Sequence, residues 1–159
     1  MSVAPARLSE ALEKAMYQFW ANGIEATPYA DLVQVTGLSR KALYQVWPEK
    51  GALVHATLDH YHDLVLSTLE GIFAVPGPDA VSAFWDVIDA AAVDGWPGCY
   101  LLRSAAGEMR DDPRVRQAYS AHLSAIQTGI HKSLAGRHPD PASASWQAAG
   151  SMTLMTALA

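Results

Sequence analysis

The 159-residue chain is predicted to be all-α, with an N-terminal three-helix unit joined by one long helix to a C-terminal helical bundle. Three observations predict it. No stretch alternates apolar and polar residues as a half-buried strand does, apolar residues recur at three- and four-residue steps, and Pro/Gly punctuation divides the chain into helix-length segments. Half of the residues are hydrophobic and 17% are charged, which supplies a core and excludes general disorder.

The first helix is expected over Ser9–Ala21, where Leu8, Leu12, Ala15, Met16, Phe19 and Trp20 form the apolar stripe and Ser9 is the candidate cap. Asn22-Gly23 closes it in the manner of a left-handed C-terminal cap. The second helix starts at Thr27 as cap with Pro28 at the first helical position, carries Leu32, Val33 and Val35, and ends at Gly37. Ser39 caps a third, Arg40–Val46, whose Leu43, followed by Trp47, faces inward while Arg40, Lys41, Tyr44 and Gln45 are left for solvent or a partner. Two short helices joined by a glycine-containing tight turn have the form of a helix-turn-helix.

Pro48 stops the third helix, and a long one follows over about 49–69 with Leu53, Ala56, Leu58, Tyr61, Leu64, Val65 and Leu69 inward. After a Val75-Pro76-Gly77-Pro78 loop, Val81, Phe84, Trp85, Ile88 and Ala92 mark a helix closed by Gly95-Trp96-Pro97-Gly98. Cys99–Met109 makes the next one. Asp111-Asp112-Pro113 opens a longer helix, about 113–135, with acids placed favourably for its dipole and a stripe of Val115, Ala118, Leu123, Ile126, Ile130 and Leu134. A last helix over about 141–159 carries Trp146, Ala149, Met152, Met155 and Leu158 among small residues. It runs to the final residue without a cap, so it is expected to be cut short. The domains are placed at 1–48 and 49–159, with the helix over 49–69 shared.

Eleven Lys and Arg face sixteen Asp and Glu, a net charge of −5, which excludes a protein that coats nucleic acid through bulk charge. The single cysteine, Cys99, forms no internal disulfide and fits a reducing cytoplasm. The N-terminus lacks the basic start and apolar core of a signal peptide, and no apolar run reaches the ~18 residues of a membrane span. His55, Asp59, His60, His62 and Asp63 cluster in sequence, but His60 and His62 fall on different helix faces, so no metal site and no cofactor is expected. No nucleophile–base pattern, phosphate-binding glycine loop or paired carboxylates points to an enzyme.

The pattern Phe19-x3-Gly23-Ile24-x2-Thr27, then Gly37-Leu38-Ser39-x3-Leu43-Tyr44-x2-Trp47-Pro48-x-Lys50-x2-Leu53, resembles the N-terminal domain of the TetR family of transcriptional regulators over about residues 9–60. Gly98-Cys99-Tyr100-Leu101-Leu102 and Asp112-Pro113-Arg114-Val115-Arg116 resemble segments of some TetR ligand-binding domains. Pro28, Gln45 and Gly51 depart from common family choices. A short helix entering the major groove reads bases with its exposed N-terminal side chains, which makes Arg40 and Lys41 the leading base readers and Gln45 a reader one turn on. Thr27, Tyr44 and Lys50 are phosphate-contact candidates on position, and the resemblance implies the same roles; Ser39 completes the candidate set.

From Met1 to His60, five basic residues (Arg7, Lys14, Arg40, Lys41, Lys50) face six acids (Glu10, Glu13, Glu25, Asp31, Glu49, Asp59), a net charge of −1. Affinity per monomer is therefore expected to be low and salt-sensitive, so two copies must bind together, reading a palindromic operator as a homodimer. The helices over 113–135 and 141–159 are the expected interface, which is also where TetR-like proteins dimerise. The resemblance implies a small-molecule effector bound in the C-terminal bundle, and the expected function is a cytoplasmic, ligand-responsive repressor without catalytic activity. Phe84, Trp85, Trp96, Tyr100, Arg103, Met109, Tyr119, His122 and Trp146 are the candidate effector contacts, with Arg103 and His122 favoured because polar side chains among apolar neighbours need partners. The alternative is a small-molecule-binding or protein-interaction module of the same fold with weak or no specific DNA binding.

Overall fold

The computed structural model describes residues 4–93 and 97–135. Its described elements are all helices: α1 (Pro5–Asn22), α2 (Tyr29–Thr36), α3 (Arg40–Val46), α4 (Lys50–Ile72), α5 (Pro78–Val93), α6 (Tyr100–Ala106) and α7 (Pro113–Leu134). The chain forms two compact units that divide within α4, between Tyr61 and His62. The expected helix over 141–159 lies outside the described residues.

In the first unit α1 packs on α2 and α2 on α3. Ala11, Ala15, Met16 and Phe19 of α1, Leu32 of α2, Leu43 of α3, and Leu53, Val54 and Leu58 of α4 are buried; Ala11 and Val54 lie outside the expected stripes, and Leu64 of α4, expected inward, is exposed. α1 begins four residues before the expected start. Ala4 is extended and Pro5 supplies a preset helical φ, so Ser9 is an exposed interior residue and caps nothing. Gly23 ends α1 with its N–H on the Phe19 carbonyl at 2.8 Å, but at φ 90° and ψ 154° it takes a positive-φ conformation open to glycine rather than the left-handed αL cap geometry.

The start of α2 also differs from expectation. Pro28, not Thr27, is the N-cap, and no side chain caps this end. Thr27 is fully buried and its hydroxyl donates to the Gly23 carbonyl at 2.7 Å, closing the α1–α2 turn. At the other end Gly37 takes φ 66° and ψ 12°, the left-handed C-terminal cap, with its N–H on Val33 O. Thr36 ties this turn twice: its hydroxyl donates to Leu32 O at 2.5 Å and accepts from Leu38 N at 3.3 Å. Two residues later the Ser39 hydroxyl accepts from Ala42 N at 3.2 Å, the expected cap of α3.

In the second unit α5 and α6 each pack on α7. The core joins Leu69, Phe84, Ile126 and Ile130, with Val65, Ile72, Phe73, Trp85, Ile88, Ala125 and Leu134 packed around them. Cys99 is the N-cap of α6, its thiol accepting from Leu102 N at 3.5 Å. That helix ends at Ala106, three residues short of Met109, where Gly107 leaves helical geometry. Asp112 caps α7 through Oδ1, which accepts from Arg114 N at 2.8 Å and Val115 N at 3.3 Å, and Pro113 supplies the first turn. The buried stripe of α7 is Val115, His122, Ile126, Gly129, Ile130 and Ser133.

Candidate nucleic-acid interface and effector residues

The seven residues of α3 bury only Leu43. Ser39, Arg40, Lys41, Tyr44 and Gln45 are exposed, so the helix offers one continuous polar face bearing two cations, and its first turn is held by the Ser39 cap. Arg40 and Tyr44 stand four residues apart and share that face. Between them lies a residue the sequence reading missed. The ring of Tyr29, the first residue of α2, stacks on Tyr44 with centroids 4.7 Å apart and planes inclined by 23°, and the Arg40 Cζ lies over the same ring, 5.7 Å from its centroid. Burial first, and Tyr44 alongside second, push the Tyr29 phenol above its ordinary value, so it stays neutral at physiological pH. Tyr29 follows Pro28 directly, and an aromatic at the mouth of a capped turn was the available signal.

The structure does not bring Thr27 and Lys50 out with α3. The Thr27 hydroxyl faces into its own turn. Lys50 is half-buried, donates to the Glu25 carbonyl at 3.4 Å and lies 6.0 Å from the Phe19 ring centroid.

Of the effector candidates, Trp96 and Trp146 lie outside the described residues. Phe84 is a core residue, flanked by Phe73 at 6.0 Å and by Trp85 edge-on at 5.3 Å. Tyr100 is buried and Met109 half-buried. Arg103 is exposed rather than enclosed among apolar neighbours, and its guanidinium donates to Pro97 O at 3.1 Å, so its polar partner is the backbone of the α5–α6 connection. His122 is buried with Nε2 3.8 Å from the Cys99 thiol and its ring 5.8 Å from that of His62. Burial first and His62 second lower its pKa to about 4. Tyr119 is half-buried, and burial together with the nearby Cys99 raises its phenol. His122, Tyr119 and Cys99 thus form one polar cluster. A groove of about 330 Å³ lies elsewhere on this unit, between Leu66, Leu69, Glu70 and Phe73 of the α4 side and Ala125, Thr128, Gly129 and Lys132 of α7. None of the seven candidates among the described residues lines it. Among the described residues no group of three or more His, Cys, Asp or Glu is placed to hold a metal ion, and no helix is long and apolar enough to cross a membrane.

Three solved structures resemble the chain over most of its length. A TetR transcriptional regulator from Legionella pneumophila superposes with a TM-score of 0.80 at 15% identity, covering 99% of this chain and 86% of that one. A TetR-family regulator from Agrobacterium tumefaciens gives 0.75 at 16%, covering 93% and 82%. One from Chloroflexus aurantiacus J-10-FL gives 0.68 at 21%, covering 96% and 85%. This is the TetR-family fold. In sequence, the TetR resemblance of the first unit is accompanied by a curated relative, the HTH-type transcriptional repressor ComR of Escherichia coli (strain K12), 35% identical over 99 residues. That alignment covers 59% of this chain and 47% of the relative, so it spans about half the relative's length. No family model matches the chain. The TetR-fold assignment makes α2 and α3 the helix-turn-helix pair, with α3 as its second helix.

Proposed function

We propose that the chain is a ligand-responsive, DNA-binding transcriptional regulator: a homodimeric repressor that reads a palindromic operator and is released by a small apolar effector. The exposed face of α3 carries this reading. Arg40 and Lys41 stand in its first turn, where the second helix of such a pair meets base edges, with Tyr44 and Gln45 one turn on. In this reading Arg40, Lys41 and Gln45 contact bases and Tyr44 contacts phosphate. Lys50 joins them when its bond to the Glu25 carbonyl exchanges for a phosphate. Two copies, joined through the C-terminal helices, supply the second half-site, and the effector binds the second unit.

The test is selection of bound sequences from a random duplex pool at moderate salt, with the Arg40→Ala/Lys41→Ala variant in parallel. A near-palindrome enriched by the wild type and lost in the folded variant is the expected result. A folded, dimeric wild type that enriches nothing overturns the reading and favours the ligand-binding or protein-interaction module.

A further inference from the structure

We infer that Tyr29 is the positioning residue for sequence reading, its ring holding Arg40 so that the guanidinium edge is presented to a guanine. This rests on the DNA-binding reading above and adds to it a residue outside the helix that enters the groove.

An arginine at the start of an exposed helix is long and rotamer-rich, and a side chain free to sample many rotamers loses entropy when it forms a bidentate contact. Here Arg40 is not left free. Its Cζ lies over the Tyr29 ring at 5.7 Å, within the range in which a cation is attracted to an aromatic face. A ring face attracts the cation without accepting its N–H donors as a carboxylate would, and base recognition uses those donors. The fork of N–H donors that matches O6 and N7 of guanine therefore stays available. Tyr29 is itself held. It is half-buried, follows the extended Pro28 cap, and stacks on Tyr44 at 4.7 Å. One ring from α2 thus touches both polar side chains, four residues apart on α3, and fixes them relative to each other. The phenol remains neutral because burial opposes its ionisation, so its pull on Arg40 is that of a ring face rather than of an anion that would compete with the base.

The experiment uses the full chain and the duplex recovered by selection. Dissociation constants are measured at matched salt for wild type, Tyr29→Phe, Tyr29→Leu, Arg40→Ala and the Tyr29→Leu/Arg40→Ala double variant. Each is tested against the operator and against a duplex changed at the guanine whose preference Arg40→Ala abolishes. Tyr29→Leu is expected to lower discrimination at that guanine about fivefold or more, the scale of one bidentate base contact, and to leave the salt slope unchanged. Tyr29→Phe keeps discrimination, and in the Tyr29→Leu background Arg40→Ala costs nothing further at that position. Equal weakening on every duplex, or full discrimination by Tyr29→Leu, overturns the inference. A second measurement needs no DNA and no leucine variant: the Arg40 δ protons of the free wild type and of Tyr29→Phe are expected to be ring-shifted upfield, and unshifted protons overturn the positioning geometry. A wild type with ring-shifted protons but no preference among duplexes overturns the regulator reading itself, and the inference with it.

Discussion

His122 makes the second unit acid-sensitive in a defined window. The imidazole is 2% exposed, and burial first, then His62, lowers its pKa from 6.5 to about 4. In the unfolded chain the ring takes up a proton as pH falls through about 6.5, whereas in the folded protein it does so only near 4. Between those values the unfolded state binds more protons, so stability rises with pH and is lost on acidification. At ~1.36 kcal/mol per pH unit the interval is worth ~3 kcal/mol, fully present above pH 6.5 and gone by about pH 4. That is a large share of the ~5–15 kcal/mol typical of a domain. The assay is urea unfolding followed by circular dichroism between pH 7.5 and 4, for wild type and His122→Gln. Groups that titrate in both proteins cancel in the comparison, so the wild type should lose ~3 kcal/mol more than the variant across the window. Parallel curves would refute the argument, since they would mean that the buried ring is not kept neutral by the fold.

Two glycines give further tests. A Cβ at Gly129 would lie 2.6 Å from Cε2 of Phe73, so Gly129→Ala must turn that ring out of its place against the α7 stripe. The gain in helix propensity, ~1 kcal/mol, is outweighed by overpacking of ~1–3 kcal/mol, and a lower urea midpoint with an unchanged slope checks it. At Gly37 nothing lies within 4 Å of a built Cβ, yet φ is 66°. Gly37→Ala should cost ~1 kcal/mol through the backbone alone, and Gly37→Asn, which tolerates the left-handed region, should cost less by the same denaturation assay.

What was legible in the sequence was what local chemistry decides. Ser39 has one good use between a turn and a short helix, and it caps α3. Asp112 before Pro113 is likewise a local signal for a helix start. Thr27 before Pro28 looked like the same device, but a threonine hydroxyl can also donate to the carbonyl four residues back, and burial against the first-unit core selects that bond. The start of α1 was misplaced because residues 5–7 carry no apolar stripe, while Pro5, a backbone signal, begins the helix there. The effector candidates fared worse for a related reason. Periodicity assigns aromatics to a face without saying whether that face meets another helix or a void, and Phe84 meets the core. Arg103, expected among apolar neighbours, is exposed, with its guanidinium donating to the Pro97 carbonyl. The place of Tyr29 after Pro28 is legible in the sequence, but its contacts are not, because its partners, Arg40 and Tyr44, belong to another helix.

The net charge of −1 over the first 60 residues is a poor measure of the field at α3, because the structure spends its charges unevenly. Lys14 is paired with Glu10 at 2.6 Å on the surface of α1, so neither contributes much at a distance comparable to the ~8 Å screening length of physiological salt. Lys50 is turned onto a backbone carbonyl. Arg40, by contrast, is neighboured by a neutral ring, and Lys41 is exposed beside it. An aromatic partner orders an arginine without neutralising it, which a carboxylate at the same place would do. The near-neutral unit therefore keeps two full positive charges on the helix where a phosphate backbone and base edges would be met together, and the Tyr29 ring is the means by which order and charge are both retained there.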